Sequence, residues 1–116
     1  MRLKNKTAIV TGGGSGFGEG IAATFAREGA KVLVADIDMA AATRVADAIA
    51  KAGGTAKPWR ADVAKAADTN AMIAAAIDGF GRLDILVNNA GISHRNGPML
   101  GVDEATVDRV FAVNVK

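Results

Sequence analysis

The sequence contains no cysteine and no tyrosine, a single histidine, two prolines, and only four phenylalanines and one tryptophan as aromatics among its 116 residues. Without cysteine there is no disulfide framework and no thiolate metal site, and such a chain suits a reducing compartment, so the expected location is the cytoplasm. His94 has no second His or Cys to share a metal with, and no metal site is expected. Charge of one sign is also scarce: 14 basic residues face 12 acidic ones, a formal charge of +2. The isoelectric point near 9.2 overstates this balance, because little titrates near neutrality. Lys and Arg are scattered, with no basic run and no interleaved aromatics, which speaks against nucleic acid as a partner. No stretch approaches the length of a membrane span, and Met1-Arg2-Leu3-Lys4-Asn5-Lys6 begins like a signal peptide but lacks the apolar region that should follow. No membrane association is expected.

What is present is a globular composition, half hydrophobic and 22% charged, in a length that makes one domain at most. The stretch that organises it runs from Thr7 to Gly29. Thr7, Ala8, Ile9 and Val10 form a short β-favouring run that meets glycine almost at once. Gly12, Gly13, Gly14, Gly16 and Gly18 then crowd into seven positions. From Phe17 onward the period changes, and Phe17, Ile21 and Phe25, with Ala22 and Ala26 beside them, predict one apolar face of a helix that ends at Gly29. A strand feeding a helix through glycines leaves the first helical N–H groups unpaired, and these, with the helix dipole, make an anion site. The common dinucleotide fingerprint G-x-G-x-x-G is absent from this loop, which reads Thr11-Gly12-x-x-x-Gly16-x-Gly18.

The rest of the chain alternates in the same way. Lys31–Asp36 predicts a second strand, and Met39–Ala52 a helix with Val45 and Ile49 on one face, capped by Asp38 and stopped by Gly53-Gly54. Thr55–Arg60 predicts a third strand whose Pro58 belongs at a sheet edge. Ala67–Phe80 predicts a helix with Met72, Ile73, Ala76, Ile77 and Phe80 on its apolar side and Gly81 after it, and Leu83–Asn88 a fourth strand. A loop from Ala90 to about Gly101 precedes a last expected helix, capped by Asp103 and carrying Val107, Val110, Phe111 and Asn114. Alternating strands and helices predict an α/β fold, a doubly wound parallel sheet in the order 3-2-1-4 with helices on both faces. The ligand crevice is then expected between the first and fourth strands, with the glycine loop opposite Asn88–Gly91. The last helix has a start signal and no stop, and the fourth strand is left with a bare edge, so residues 1–116 read as the amino-terminal part of a larger sheet.

Asp36 closes the second strand, 18 residues after the last glycine of the loop. An acid at that place in a dinucleotide fold accepts from the adenosine ribose 2′-OH and repels a 2′-phosphate, which favours NAD over NADP; a solvated acid at a strand end is the other reading.

Thr11-Gly12-x-x-x-Gly16-x-Gly18, Asp62-Val63, Asn88-Asn89-Ala90-Gly91 and Asn114, in this order and spacing, resemble a short-chain dehydrogenase/reductase over essentially the whole chain. The resemblance implies a Rossmann-type fold holding NAD and a hydride transfer between a secondary alcohol or ketone and the nicotinamide. It implies that Gly12, Gly14, Gly16 and Gly18, with Ser15 and Phe17, form the pyrophosphate turn. Asp36 and Ile37 would hold the adenosine end, and Asp62 and Val63 the adenine, with a plain turn residue as the other reading of Asp62. Asn89, Ala90 and Gly91 would line the cofactor ribose, Asn88 would tie neighbouring strands, and Asn114 would help hold a water of the proton relay. His94-Arg95-Asn96 would lie near the nicotinamide, although a lone loop histidine is more often simply exposed. Asp103-Glu104 reads as helix capping and not as a catalytic acid pair. The family's reaction needs a Tyr, a Lys four residues later and a Ser, which normally follow the point where this sequence stops. A chain with no Tyr does not supply that group, so by itself it is expected to be inactive. For the full-length protein the resemblance implies a small-molecule substrate and a homo-oligomer. A nucleotide-binding module without turnover, and an assembly fragment pairing through its fourth strand, are the other readings.

Overall fold

The central strands form at short runs rich in Val and Ile, and the helices form where apolar residues return at helical spacing. The computed structural model describes residues 2–14, 16–88 and 111–114. In chain order the elements are β1 (Thr7–Thr11), α1 (Gly16–Arg27), β2 (Lys31–Asp36), α2 (Met39–Lys51), β3 (Thr55–Arg60), α3 (Ala66–Phe80), β4 (Ile85–Asn88) and β5 (Phe111–Asn114). The strands make one parallel sheet in the order β3-β2-β1-β4-β5. The expected 3-2-1-4 arrangement is present, and Pro58, opposite Val34, sits on the edge strand β3, where its missing N–H costs no central ladder bond.

Alternate residues of the central strands feed separate clusters on the two faces of the sheet, as a period of two requires. Val10, Val32, Val34 and Val87 pack against Ala22 and Ala26 of α1 and Ala42, Val45, Ala46 and Ile49 of α2. Ile9, Leu33, Ala35 and Leu86 pack on the opposite face against Met72, Ile73 and Ala76 of α3. All of β1 is buried, which fits a strand covered on both faces. Helix ends carry the expected signals. The Asp38 side chain accepts from the Ala40 and Ala41 amides, and Gly81 closes α3 with a left-handed φ of 86° while its N–H donates to Ile77 O at 2.7 Å.

The sheet departs from expectation in two places. On α1 the inward line is Gly18, Ala22 and Ala26, whereas Ile21 and Phe25 are half-buried flanks and Phe17 is 66% exposed. A helix lying on a sheet approaches most closely on its smallest residues, so the bulky side chains of α1 are displaced to the margins. The second departure concerns Phe111 and Asn114, expected in a helix. Phe111–Asn114 is a strand, paired in parallel register with Ile85–Asn88. A short, mostly apolar run beside an open ladder gains more from pairing than from helix, so tertiary context decides the element. Among the described residues the sheet therefore has five strands, and the edge of β4 is taken by β5. The Asp103 cap, Val107 and Val110 fall outside the described residues.

Candidate functional site

Because every strand runs the same way, the loops after β1, β2 and β3 and the ends of β4 and β5 open on one edge of the sheet. The glycine loop lies at its centre. Gly13 N donates to Ala35 O at 3.1 Å, and Gly14 N donates to Asp36 Oδ2 at 2.9 Å, so the loop is laid flat on the β2–α2 junction. There is no room there for a side chain: a Cβ on Gly14 would lie 2.7 Å from Asp36 Oδ2 and 2.8 Å from Ala41 Cβ. Gly16, which opens α1, has a φ of +57°, and a Cβ on it would meet nothing within 4 Å. A twelve-residue helix thus begins beside open space, and the first N–H groups of any helix lack a partner within it. Gly18, two residues further along in the same turn, is buried. Ser15 lies outside the described residues.

Asp36 is held as much as it holds. Its Oδ2 accepts from Gly14 N and its Oδ1 from Asp38 N, both at 2.9 Å. Each carboxylate oxygen has a second lone-pair site, so the group still has acceptor capacity for a hydroxyl. Ile37, immediately after it, is 59% exposed.

Asp62 adopts the turn geometry that the sequence left open. Its Oδ1 accepts from Ala64 N at 3.0 Å and its carbonyl from Lys65 N at 2.9 Å. Its own N–H donates to Asp68 Oδ2 at 2.9 Å, where Asp68 occupies the first turn of α3 and also pairs with Arg60 at 3.7 Å. Val63 packs half-buried on the α3 side of the core. Asn88 is a strand tie: the Thr11 hydroxyl reaches Val87 O at 3.1 Å and Asn88 Oδ1 at 3.3 Å, joining the ends of β1 and β4. Asn114 stands opposite Asn88 in the ladder, at the same end of the sheet. Asn89, Ala90, Gly91, His94, Arg95, Asn96, Asp103 and Glu104 fall outside the described residues.

Sequence reasoning missed one residue that meets the loop. Arg44, on α2, donates from Nη2 to Gly14 O at 2.8 Å and pairs with Glu19 of α1 at 3.2 Å. No local pattern announces a contact that spans 30 residues. Asp68, also missed, had a signal: it is an acid in a first helical turn, three residues past Lys65, an N-cap that makes no side-chain cap bond.

Asp84 lies at the opposite end of the sheet, just before β4. Burial pushes its carboxyl up, but hydrogen bonds from Arg82 and Thr7 N and the charges of Arg82 and Lys6 outweigh this, leaving its pKa below the ordinary carboxylate value. Its Oδ2 accepts from Thr7 N and from Arg82 Nε, at 2.9 and 2.8 Å. Among the described residues no three His, Cys, Asp or Glu side chains gather as a metal site, and no helix is long and apolar enough to cross a membrane.

The profile of the short chain dehydrogenase family matches residues 6–116. The chain is 47% identical over its whole length to galactitol 2-dehydrogenase of Agrobacterium fabrum and 50% identical to 4-formylbenzenesulfonate dehydrogenase of Comamonas testosteroni. It spans 44% and 46% of those two proteins, less than half of each. Among solved structures, it resembles a 7α-hydroxysteroid dehydrogenase complexed with NADH and 7-oxo glycochenodeoxycholic acid, with a TM-score of 0.76 and 43% identity over 90% of this chain and 40% of that one. It also resembles a 3-ketoacyl-(acyl-carrier-protein) reductase of Brucella melitensis complexed with NADH, with a TM-score of 0.72 and 53% identity over 78% of this chain and 36% of that one.

Proposed function

The chain belongs to the short chain dehydrogenase family, and from that premise we propose that it is the cofactor-holding part of an NAD-dependent oxidoreductase. The observation that carries the reading is the glycine loop bonded to Asp36 with α1 opening beside it, which sets a helix N-terminus near an acid. Gly12, Gly14, Ser15, Gly16, Phe17 and Gly18 would take the pyrophosphate, and Asp36 with Ile37 the adenosine ribose. Asp62 and Val63 would border the adenine, and Asn89, Ala90 and Gly91 the second ribose. The nicotinamide, when bound, supplies the two-electron redox chemistry, exchanging hydride with a secondary alcohol or ketone. This chain's own share is to bind and orient it. Asn114, beside Asn88 at the crevice end of the sheet, is the proposed holder of a relay water. Cytoplasmic location, supported by the lack of cysteine, and a homo-oligomeric full-length protein complete the reading.

A second reading, a nucleotide-holding module without turnover, draws on the glycine loop and Asp36 alone and needs no group beyond them. Both readings require nucleotide binding. The test is titration of NAD and NADP into the chain and into Asp36→Asn. Removing the charge while keeping an acceptor should narrow the preference for NAD by about tenfold, close to 1.4 kcal/mol. An unchanged ratio would remove Asp36 from the ribose site, and no binding of either nucleotide would end both readings.

A further inference from the structure

Both backbone groups of Gly14 are gripped, and by different elements. Its N–H is bonded to Asp36 at the end of β2, and its carbonyl to Arg44 in α2 at 2.8 Å. Arg44 continues to Glu19 in the first turn of α1, Nη2 to Oε1 at 3.2 Å and Nη1 to Oε2 at 3.4 Å. One guanidinium therefore joins α2, the loop and the start of α1. The ion pair itself adds little to stability, because its side chains are 57% and 40% exposed. Its electrostatic setting is more telling. Glu19 puts a negative charge one turn into the helix whose N-terminus is proposed to receive a pyrophosphate, and like charges there would repel. Arg44 offsets that charge.

We propose that Arg44 is a positioning residue for the dinucleotide: it fixes the Gly14 backbone against the β2–α2 junction and neutralises Glu19 at the mouth of the anion site. The loop then holds its binding shape before the cofactor arrives, and less ordering is left to occur on binding. This inference rests on the NAD reading above, but its first test does not need a nucleotide.

The experiment compares the 116-residue chain with Arg44→Ala and with the double variant Arg44→Ala/Glu19→Gln. In the free proteins, Arg44→Ala should speed amide hydrogen exchange at Gly14 severalfold while the thermal midpoint moves by only a few degrees. With NAD, Arg44→Ala should weaken binding about tenfold at low salt, the loss of a preorganised and neutralised site. The double variant should recover the salt-sensitive part of that loss but keep the fast exchange. Unchanged exchange at Gly14 in Arg44→Ala overturns the clamp, whether or not the chain binds NAD. Faster exchange with undiminished NAD affinity overturns the link to the cofactor, and no recovery in the double variant overturns the role given to Glu19. A wild-type chain that does not bind NAD sinks the NAD reading alone, since the exchange result still decides the clamp.

Discussion

The two ends of the sheet make the same bond for opposite purposes. At the amino end, Asp84 Oδ2 accepts from Thr7 N at 2.9 Å; at the carboxyl end, Asp36 Oδ2 accepts from Gly14 N at the same distance. Asp84 is 5% exposed and Thr7 1%, and Arg82 occupies the rest of the carboxylate, so that end is closed. Asp36 is half-buried beside a glycine that admits no side chain and a helix start that faces open space. A carboxylate–amide bond shut in by packing holds strands together. The same bond, left with spare lone pairs beside the start of a helix, is the place we propose for a ligand. Surroundings, and not the bond, separate scaffold from site.

The sharpest way to break the contrast is Asp84→Ala. It strips the buried Thr7 amide of its acceptor and should cost about 2–3 kcal/mol in chemical denaturation, the usual penalty for a buried donor left unmatched. Nucleotide affinity of the folded fraction should hardly change. Gly14→Ala should show the reverse pattern. The added Cβ, 2.7 Å from Asp36 Oδ2 and 2.8 Å from Ala41 Cβ, must push the loop off the junction. We expect NAD affinity, measured by titration, to fall by at least about tenfold while stability drops by only about 1–2 kcal/mol, as for a strained surface loop. A large stability loss with intact affinity would mean the loop is scaffold after all.

The smallest effect concerns pH. The folded-state pKa of Asp84 lies below its unfolded value, so its contribution to stability is fully present above the ordinary carboxylate range, near pH ~3.9. It is lost as pH falls through the lower, folded value. Acid unfolding followed by circular dichroism should therefore be shallower in Asp84→Asn, which has no such proton to take up, than in the wild type.

Much of the scaffold was readable from sequence because its punctuation is strong. Asp38, Gly53 and Gly81 mark helix ends by chemistry that acts locally, and Pro58 identifies an edge strand by the bond it is unable to make. Phe17, Ile21 and Phe25 misled because helical spacing reports which residues share a side, not which side comes nearest the sheet. Gly18, Ala22 and Ala26 take that role by being small. Phe111–Asn114 misled because a four-residue apolar run carries no period of its own, and the edge of β4 decided it. At the candidate site, the spacing made the glycine loop and the acid ending β2 legible as a pair, and Gly14 N does bond to Asp36. Arg44 was not, since its partners Gly14 and Glu19 come from other elements and only folding brings them together.

The most direct test of the account is amide hydrogen exchange across the chain, free and saturated with NAD. Added protection is expected at Gly12–Gly14, Gly16–Gly18 and Asp36–Asp38, with none at Thr7 or at Arg82–Asp84. Protection spread evenly over both ends, or absent from the glycine loop, would contradict the division of labour between the two edges of the sheet.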